Sequence, residues 1–227
     1  KVQPFLFDHR IDGIPVLPGV MGIEAFAEAA AALLPGFRVA AVEDVDFLAP
    51  FKLYRDEPRT VRVEAVLRPA GDAVEAECRL VGRRVLPGQA EPQETVHFRG
   101  RVRLERGEAQ PETCAAVLEN PGTALAAPDI YSVYFHGPAY RVLESAWKNG
   151  SGVVGLFADP LPPNHDPEGL PLLAAPRLVE LSFQTAGVFE LGTRGLMGLP
   201  LRVERVRAVR PPETAAGRLF AVVTPSV

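Results

Sequence analysis

The chain has 227 residues, of which 47% are hydrophobic and 23% charged, and its formal net charge is −4. This is the make-up of a globular chain long enough for one large domain or two small ones packed together. It leaves no basic footprint for nucleic acid or an anionic membrane, and no window approaches the roughly 20 apolar residues of a membrane span.

Cys78 and Cys114 read as reduced thiols of a cytoplasmic protein. His9, His97, His136 and His165 are scattered, with no metal-ligand spacing, so no metal site is expected. The chain opens on Lys1 without a signal-peptide pattern and stops at Val227 just after an apolar run, which reads as a segment of a longer chain.

In chain order, the first clear helix is Gly19 to Leu34, opened by Pro18-Gly19 and closed by Pro35-Gly36. It is rich in Ala, Leu, Glu and Met and apolar on nearly every side, so it should be wrapped by other structure. Strand-like segments follow at Val39–Phe47, Thr60–Leu67, Ala73–Val81 and Val96–Leu104, separated by Pro and Gly clusters. Four strands after one buried helix predict an antiparallel sheet wrapped around it. Residues 108–130 are polar and read as a linker, with a helical turn near Glu112–Leu118.

The second half repeats the plan in outline: strands at Tyr140–Trp147 and Gly152–Ala158, a Pro-rich loop from Leu161 to Leu173, an apolar helix from Pro176 to Leu191 closed by Gly192, then strands at Leu201–Val209 and Arg218–Val223. The predicted units are residues 1–107 and 131–227. The second is short by one or two strands in this reading.

The segment Phe7–Glu24, FDHRIDGIPVLPGVMGIE, is the most informative. A lone His is usually structural. Here His9 is followed by Gly13 and Pro18 in a His-x3-Gly-x4-Pro pattern that runs into Gly19 and a buried helix. A neutral imidazole suits a general base near pH 7. A helix N-terminus offers free N–H groups to a developing negative charge, and the Gly19 N–H is the candidate oxyanion donor. In the other half, Glu180 and Gln184 are four apart on one helix face. Burial of Glu180 should raise its pKa and keep it protonated and able to donate.

The first pattern resembles the leading signature of dehydratase domains of modular polyketide synthases and animal-type fatty acid synthases. Glu180–Gln184 resembles the Asp-x3-Gln segment of the same domains, with Glu in place of Asp. Tyr134-Phe-His136-Gly-Pro-Ala-Tyr140 resembles their Tyr-Gly-Pro-x-Phe segment, with His136 in the Tyr position and Tyr140 in the Phe position. The string Pro15–Glu24 and the Phe-His-Gly-Pro variant look closer to iterative or polyunsaturated-fatty-acid-like synthases. The resemblance covers nearly the whole chain in three ordered motifs. It does not include the strands that usually precede the first motif or the last strands of the second half.

The resemblance implies an α+β double hotdog: two antiparallel sheets, each wrapped around a long buried helix. It implies dehydration of a 3-hydroxyacyl thioester to a trans-2-enoyl one, with His9 as base and Glu180 as acid. Gly13, Pro18, Gly19, His136, Tyr140 and Gln184 would bind substrate or stabilise the oxyanion. No metal or diffusible cofactor is implied, because the substrate arrives on the phosphopantetheine arm of an acyl carrier protein. The partners implied are that carrier, the other domains of a parent synthase and a second copy of the chain. Glu24 reads as a structural or vestigial carboxylate, and Asp8 and Asp12 as turn and surface residues. Two other readings share the fold: a product-template-like cyclase, favoured by a wide pocket, and a non-catalytic structural domain, favoured by a Glu180 turned away from His9.

Overall fold

The computed structural model describes residues 3–54, 57–85, 88, 91–109, 118, 122–207 and 217–226. The chain begins with one helical turn, α1 (Pro4–Phe7), and a minimal hairpin of β1 (Arg10–Ile11) and β2 (Ile14–Pro15). Asp12 and Gly13 form its two-residue turn with φ of 52° and 77°. A tight hairpin needs this left-handed pair, which Asp-Gly supplies at low cost. Pro18 then stands at the N-cap of α2 (Gly19–Leu33).

Helix α2 buries Val20, Ile23, Phe26, Ala27 and Ala30. It lies in the cup of β3 (Arg38–Phe47), β4 (Val61–Ala70), β5 (Ala73–Arg84) and β6 (Gln93–Glu105). All neighbouring strands in this sheet are antiparallel. Ile23, Phe26, Val42, Val45, Leu80, Phe98 and Leu104 fill the space between helix and sheet. Gly22 is required at the crossing with β6, because a Cβ there would collide with the Phe98 ring. The solvent-facing side carries cross-strand ion pairs such as Arg79–Glu64 and Arg101–Asp44, each worth little alone.

The second sheet comprises β7 (Ala124–Ala126), β8 (Leu143–Asn149), β9 (Gly152–Phe157) and β11 (Phe220–Val223), in the order β11-β9-β8-β7. It packs on α4 (Pro176–Arg194) through Val142, Leu143, Ala146, Leu181 and Val188. The helices α2 and α4 also touch each other. Two antiparallel sheets, each cupping one long helix, make the α+β double hotdog that the resemblance implies. Among the described residues, no helix is long and apolar enough to cross a membrane.

Four sequence expectations are revised. Residues 124–126 and 127–131, placed in the linker, form the edge strand β7 and the short helix α3 (Ala127–Tyr131). The strand expected from Tyr140 begins at Leu143, because Pro138–Tyr140 is a 3-10 turn. Helix α4 runs past Gly192 and closes at Gly195, whose φ of 66° suits a glycine C-cap. The strand expected near Leu201–Val209 is β10 (Arg202–Val206), and it joins the first sheet rather than the second, antiparallel to β3. Its charges explain the partner. Arg202 pairs with Asp44 and Asp46, and Arg205 with Glu43. The helical turn expected near Glu112–Leu118 falls almost wholly outside the described residues, as does Cys114; Cys78 is a buried free thiol.

Candidate active site

The two halves meet where the hairpin loop before α2 faces the first turns of α4. His9 sits at the start of β1 and forms an isolated antiparallel bridge with His136 of the other half. The Asp8 carbonyl accepts from Gly137 N–H at 2.7 Å, and its carboxylate from Ala139 N–H at 2.9 Å. A Cβ at Gly137 would collide with Asp8. Asp8 is therefore not a surface residue: it pins the His136 segment beside His9. No local pattern announces this, because its partners lie on a distant stretch of chain.

His9 is 9% exposed, and its Nδ1 lies 2.8 Å from the Val16 carbonyl. A carbonyl can only accept, so Nδ1 carries the proton and Nε2 is left as the basic nitrogen. Burial pushes the His9 pKa down, the His136 imidazole adds to this, and Glu180 and the Val16 carbonyl oppose it; the net direction is below the ordinary value. His9 is a neutral imidazole near pH 7.

Glu180 lies just over one turn into α4 and is 6% exposed. Its Oε1 is 3.1 Å from His136 Nε2 and accepts from Gln184 Nε2 at 2.9 Å. Burial pushes this carboxyl up, yet the contacts with His136, Gln184 and His9 together outweigh it and hold the group below its ordinary value. This reverses the sequence expectation of a raised pKa, which counted burial without the donors that the fold brings to the carboxylate.

Gln184 is a hub. Its amide N–H groups reach Glu180 and the Tyr140 carbonyl (2.8 Å), while its side-chain oxygen accepts from Tyr131 Oη at 2.7 Å. It orients Glu180 and is occupied by protein on both ends, so it is not the free substrate ligand expected from sequence.

His9, Gly19, His136, Glu180 and Gln184 line one cavity of about 350 Å³. Its wall is otherwise largely apolar, with Phe47, Phe98 and Phe183 on one side and Leu48, Met197 and Leu199 near the exposed surface. At Gly19, a Cβ would stand 2.9 Å from the Phe47 ring. As the first residue of α2, Gly19 has no intrahelical acceptor for its N–H, and the helix dipole favours negative charge there. Gly13, Pro18 and Tyr140 do not line the cavity. Gly13 shapes the hairpin, Pro18 caps α2, and Tyr140 is fully buried with its ring 6.1 Å from that of His9. A wider cleft of about 900 Å³ beside Arg177 and Arg218 contains neither His9 nor Glu180. The chemistry is assigned to the smaller cavity because the imidazoles and the buried carboxylate converge there.

Glu24 is 1% exposed and faces away from this cavity. Its two oxygens accept from the backbone N–H groups of Leu173 (2.6 Å) and Ala174 (2.7 Å), just ahead of α4. It ties α2, the helix that follows the His9 hairpin, to the segment leading into the acid-bearing helix of the other half. Glu24→Gln replaces one acceptor with a donor facing a donor. It should cost about 1–3 kcal/mol, at roughly 2–4 °C of midpoint per kcal/mol for a chain this size. Thermal unfolding checks this, and an unchanged midpoint would remove Glu24 from that role.

Comparison with known proteins gives a consistent picture. Residues 1–81 match a family model described as polyketide synthase dehydratase domain, and residues 125–225 match one described as polyketide synthase dehydratase N-terminal domain. Polyketide synthase ThaG of Burkholderia thailandensis is 27% identical over 218 residues, which is 90% of this chain and 4% of that protein. A polyunsaturated fatty acid synthase polypeptide of a Thraustochytrium species is 25% identical over 230 residues, 93% of this chain and 8% of that protein. The chain thus spans a small fraction of these relatives. Among solved structures, the dehydratase domain from the CurF module of the curacin polyketide synthase superposes with a TM-score of 0.70 at 20% identity, covering 98% of this chain and 78% of that one. A trans-AT polyketide synthase dehydratase domain from Brevibacillus brevis gives 0.68 at 18% identity, covering 97% and 84%.

Proposed function

Because this chain belongs to the polyketide synthase dehydratase domain family, we propose that it removes water from a 3-hydroxyacyl thioester to give a trans-2-enoyl thioester. The observation that carries the reading is one apolar cavity with a neutral imidazole from one half and a buried carboxyl from the other. His9 Nε2 takes the proton from the carbon beside the thioester carbonyl. The Gly19 N–H steadies the negative charge that builds on the carbonyl oxygen. Glu180 gives a proton to the departing hydroxyl, so that it leaves as water.

The thioester is delivered on the phosphopantetheine arm of an acyl carrier protein within a larger synthase. A cavity of about 350 Å³ is at the small end for ligand sites, which favours an extended acyl chain over a folded polyketone awaiting cyclisation.

The test is incubation with a 3-hydroxyacyl thioester on a carrier protein, followed by mass for loss of water. The rate should also titrate with the base. The lowered pKa of His9 means that imidazole is lost as pH falls through that value, so the acid limb of kcat/KM should lie below the ordinary histidine pKa of about 6.5. No loss of water at any pH would sink the reading, and an acid limb above 6.5 would show that burial of His9 does not govern it.

A further inference from the structure

Elimination needs one base and one acid, yet this cavity gathers two imidazoles and one carboxyl. The third group, His136, has a defined place. We propose that His136 and Glu180 hold one acidic proton between them, so that His136 is the positioning residue that keeps Glu180 supplied with the proton it delivers. This rests on the dehydratase reading above.

The geometry narrows the alternatives. His136 Nε2 stands 3.1 Å from Glu180 Oε1, and the two side chains are 8% and 7% exposed. The Phe135 ring stacks on the imidazole at 4.2 Å. The backbone of His136 is held by its bridge to His9 and by Arg141 Nε, which donates to its carbonyl at 3.1 Å. The ring is therefore fixed against Glu180. Its Nδ1 is buried with no hydrogen-bond partner among the described residues.

An imidazolium in this position has one compensating partner, the Glu180 carboxylate. A buried charge without its partner costs several kcal/mol. Two forms are thus cheap: imidazolium beside carboxylate, and imidazole beside carboxylic acid. Each holds one proton and carries no net charge, and the proton belongs to the pair.

The surrounding groups leave this balance intact. Tyr131 of α3 and Tyr134 of the His136 segment are pushed up by burial and stay protonated. His9 is neutral, and Asp8 is turned to backbone N–H groups. Arg141 lies over the Tyr131 ring. On Glu180, the contacts with both His136 and Gln184 fall on Oε1, the oxygen at which the shared proton is held.

The step balances. His9 Nε2 takes the proton, the C–H electron pair becomes the new C=C bond, and the C–O pair leaves with oxygen. Oxygen collects the proton of the pair and departs as water. His9 is then imidazolium and Glu180 carboxylate, beside a neutral His136. Return of the proton from His9 to the pair, through water, restores the start. The net charge of the three groups is zero before and after.

The test compares wild type with His136→Gln, whose amide reaches about as far as Nε2 and still donates toward Glu180 but holds no titratable proton. The alkaline limb of kcat/KM should move to lower pH by about one unit or more, and turnover above that limb should fall with it. A donor acting only by position would leave the limb unmoved, and that result overturns the proposal. A count independent of turnover is 15N and 13C NMR of the His136 and Glu180 side chains at neutral pH. One proton shared between them is expected. A neutral imidazole beside a carboxylate overturns the proposal even if His136→Gln proves inactive. Failure of wild type to release water would instead count against the dehydratase reading, and the NMR count would still decide the pair.

Discussion

His9→Ala is expected to lower the rate of water loss by roughly 10²–10⁴-fold, the usual contribution of a positioned general base. The fold should survive. The substitution removes one side-chain hydrogen bond, to the Val16 carbonyl, while the backbone bridge to His136 and the Asp8 contacts to the other half remain. A bond of this kind contributes about 1 kcal/mol. Turnover of a 3-hydroxyacyl thioester, measured beside thermal unfolding of the same sample, separates chemistry from stability. Near-normal turnover would move the base to His136, the other imidazole lining the cavity.

At Glu180, two substitutions should part company. Glu180→Gln keeps the length of the side chain and an oxygen able to accept from His136 and Gln184, so the local network can close around it. It has no proton to give, and turnover should fall by roughly 10²–10⁴-fold. Glu180→Asp keeps the acidity but falls short by one methylene in a helix placed for Glu. The acid must come within roughly 2.6–3.2 Å of the leaving oxygen, or reach it through one water. Asp should therefore be impaired but measurable, well above Gln. Equal rates for the two variants would mean that Glu180 positions the substrate and that the proton comes from elsewhere.

Much of the fold and the site is legible in the chain because the signals are local. The Pro-Gly boundaries of α2, the alternation along β4 and β5, and the Asp-Gly turn each arise from neighbouring residues. So does the four-residue spacing that sets Gln184 against Glu180. What escapes is pairing across distance. Alternation says which face of a strand is buried but not which strand lies beside it, so β10 is expected in the second sheet and lies in the first. The signal that could place it is charge: Arg202 and Arg205 answer Glu43, Asp44 and Asp46 of β3. Asp8 escapes for the same reason, since its partners are backbone groups of the other half. The direction of the Glu180 pKa cannot be read without knowing that His136 and Gln184 both reach its carboxylate.

The placement of β10 constrains how the molecule is assembled in time. Its pairing with β3 joins Arg202 to Asp46, residues 156 positions apart. Closing so long a loop carries an entropic cost that local pairing avoids, and contacts of this kind slow folding. On a growing chain, β3 through β6 are complete before β10 exists, so one edge of the first sheet stands open during that interval. An uncovered strand edge is a template for pairing with another chain. The acidic residues of β3 then serve twice: Asp44 and Asp46 pair with Arg101 and Arg99 of β6 within the early sheet, and with Glu43 they later receive the two arginines that seal the edge.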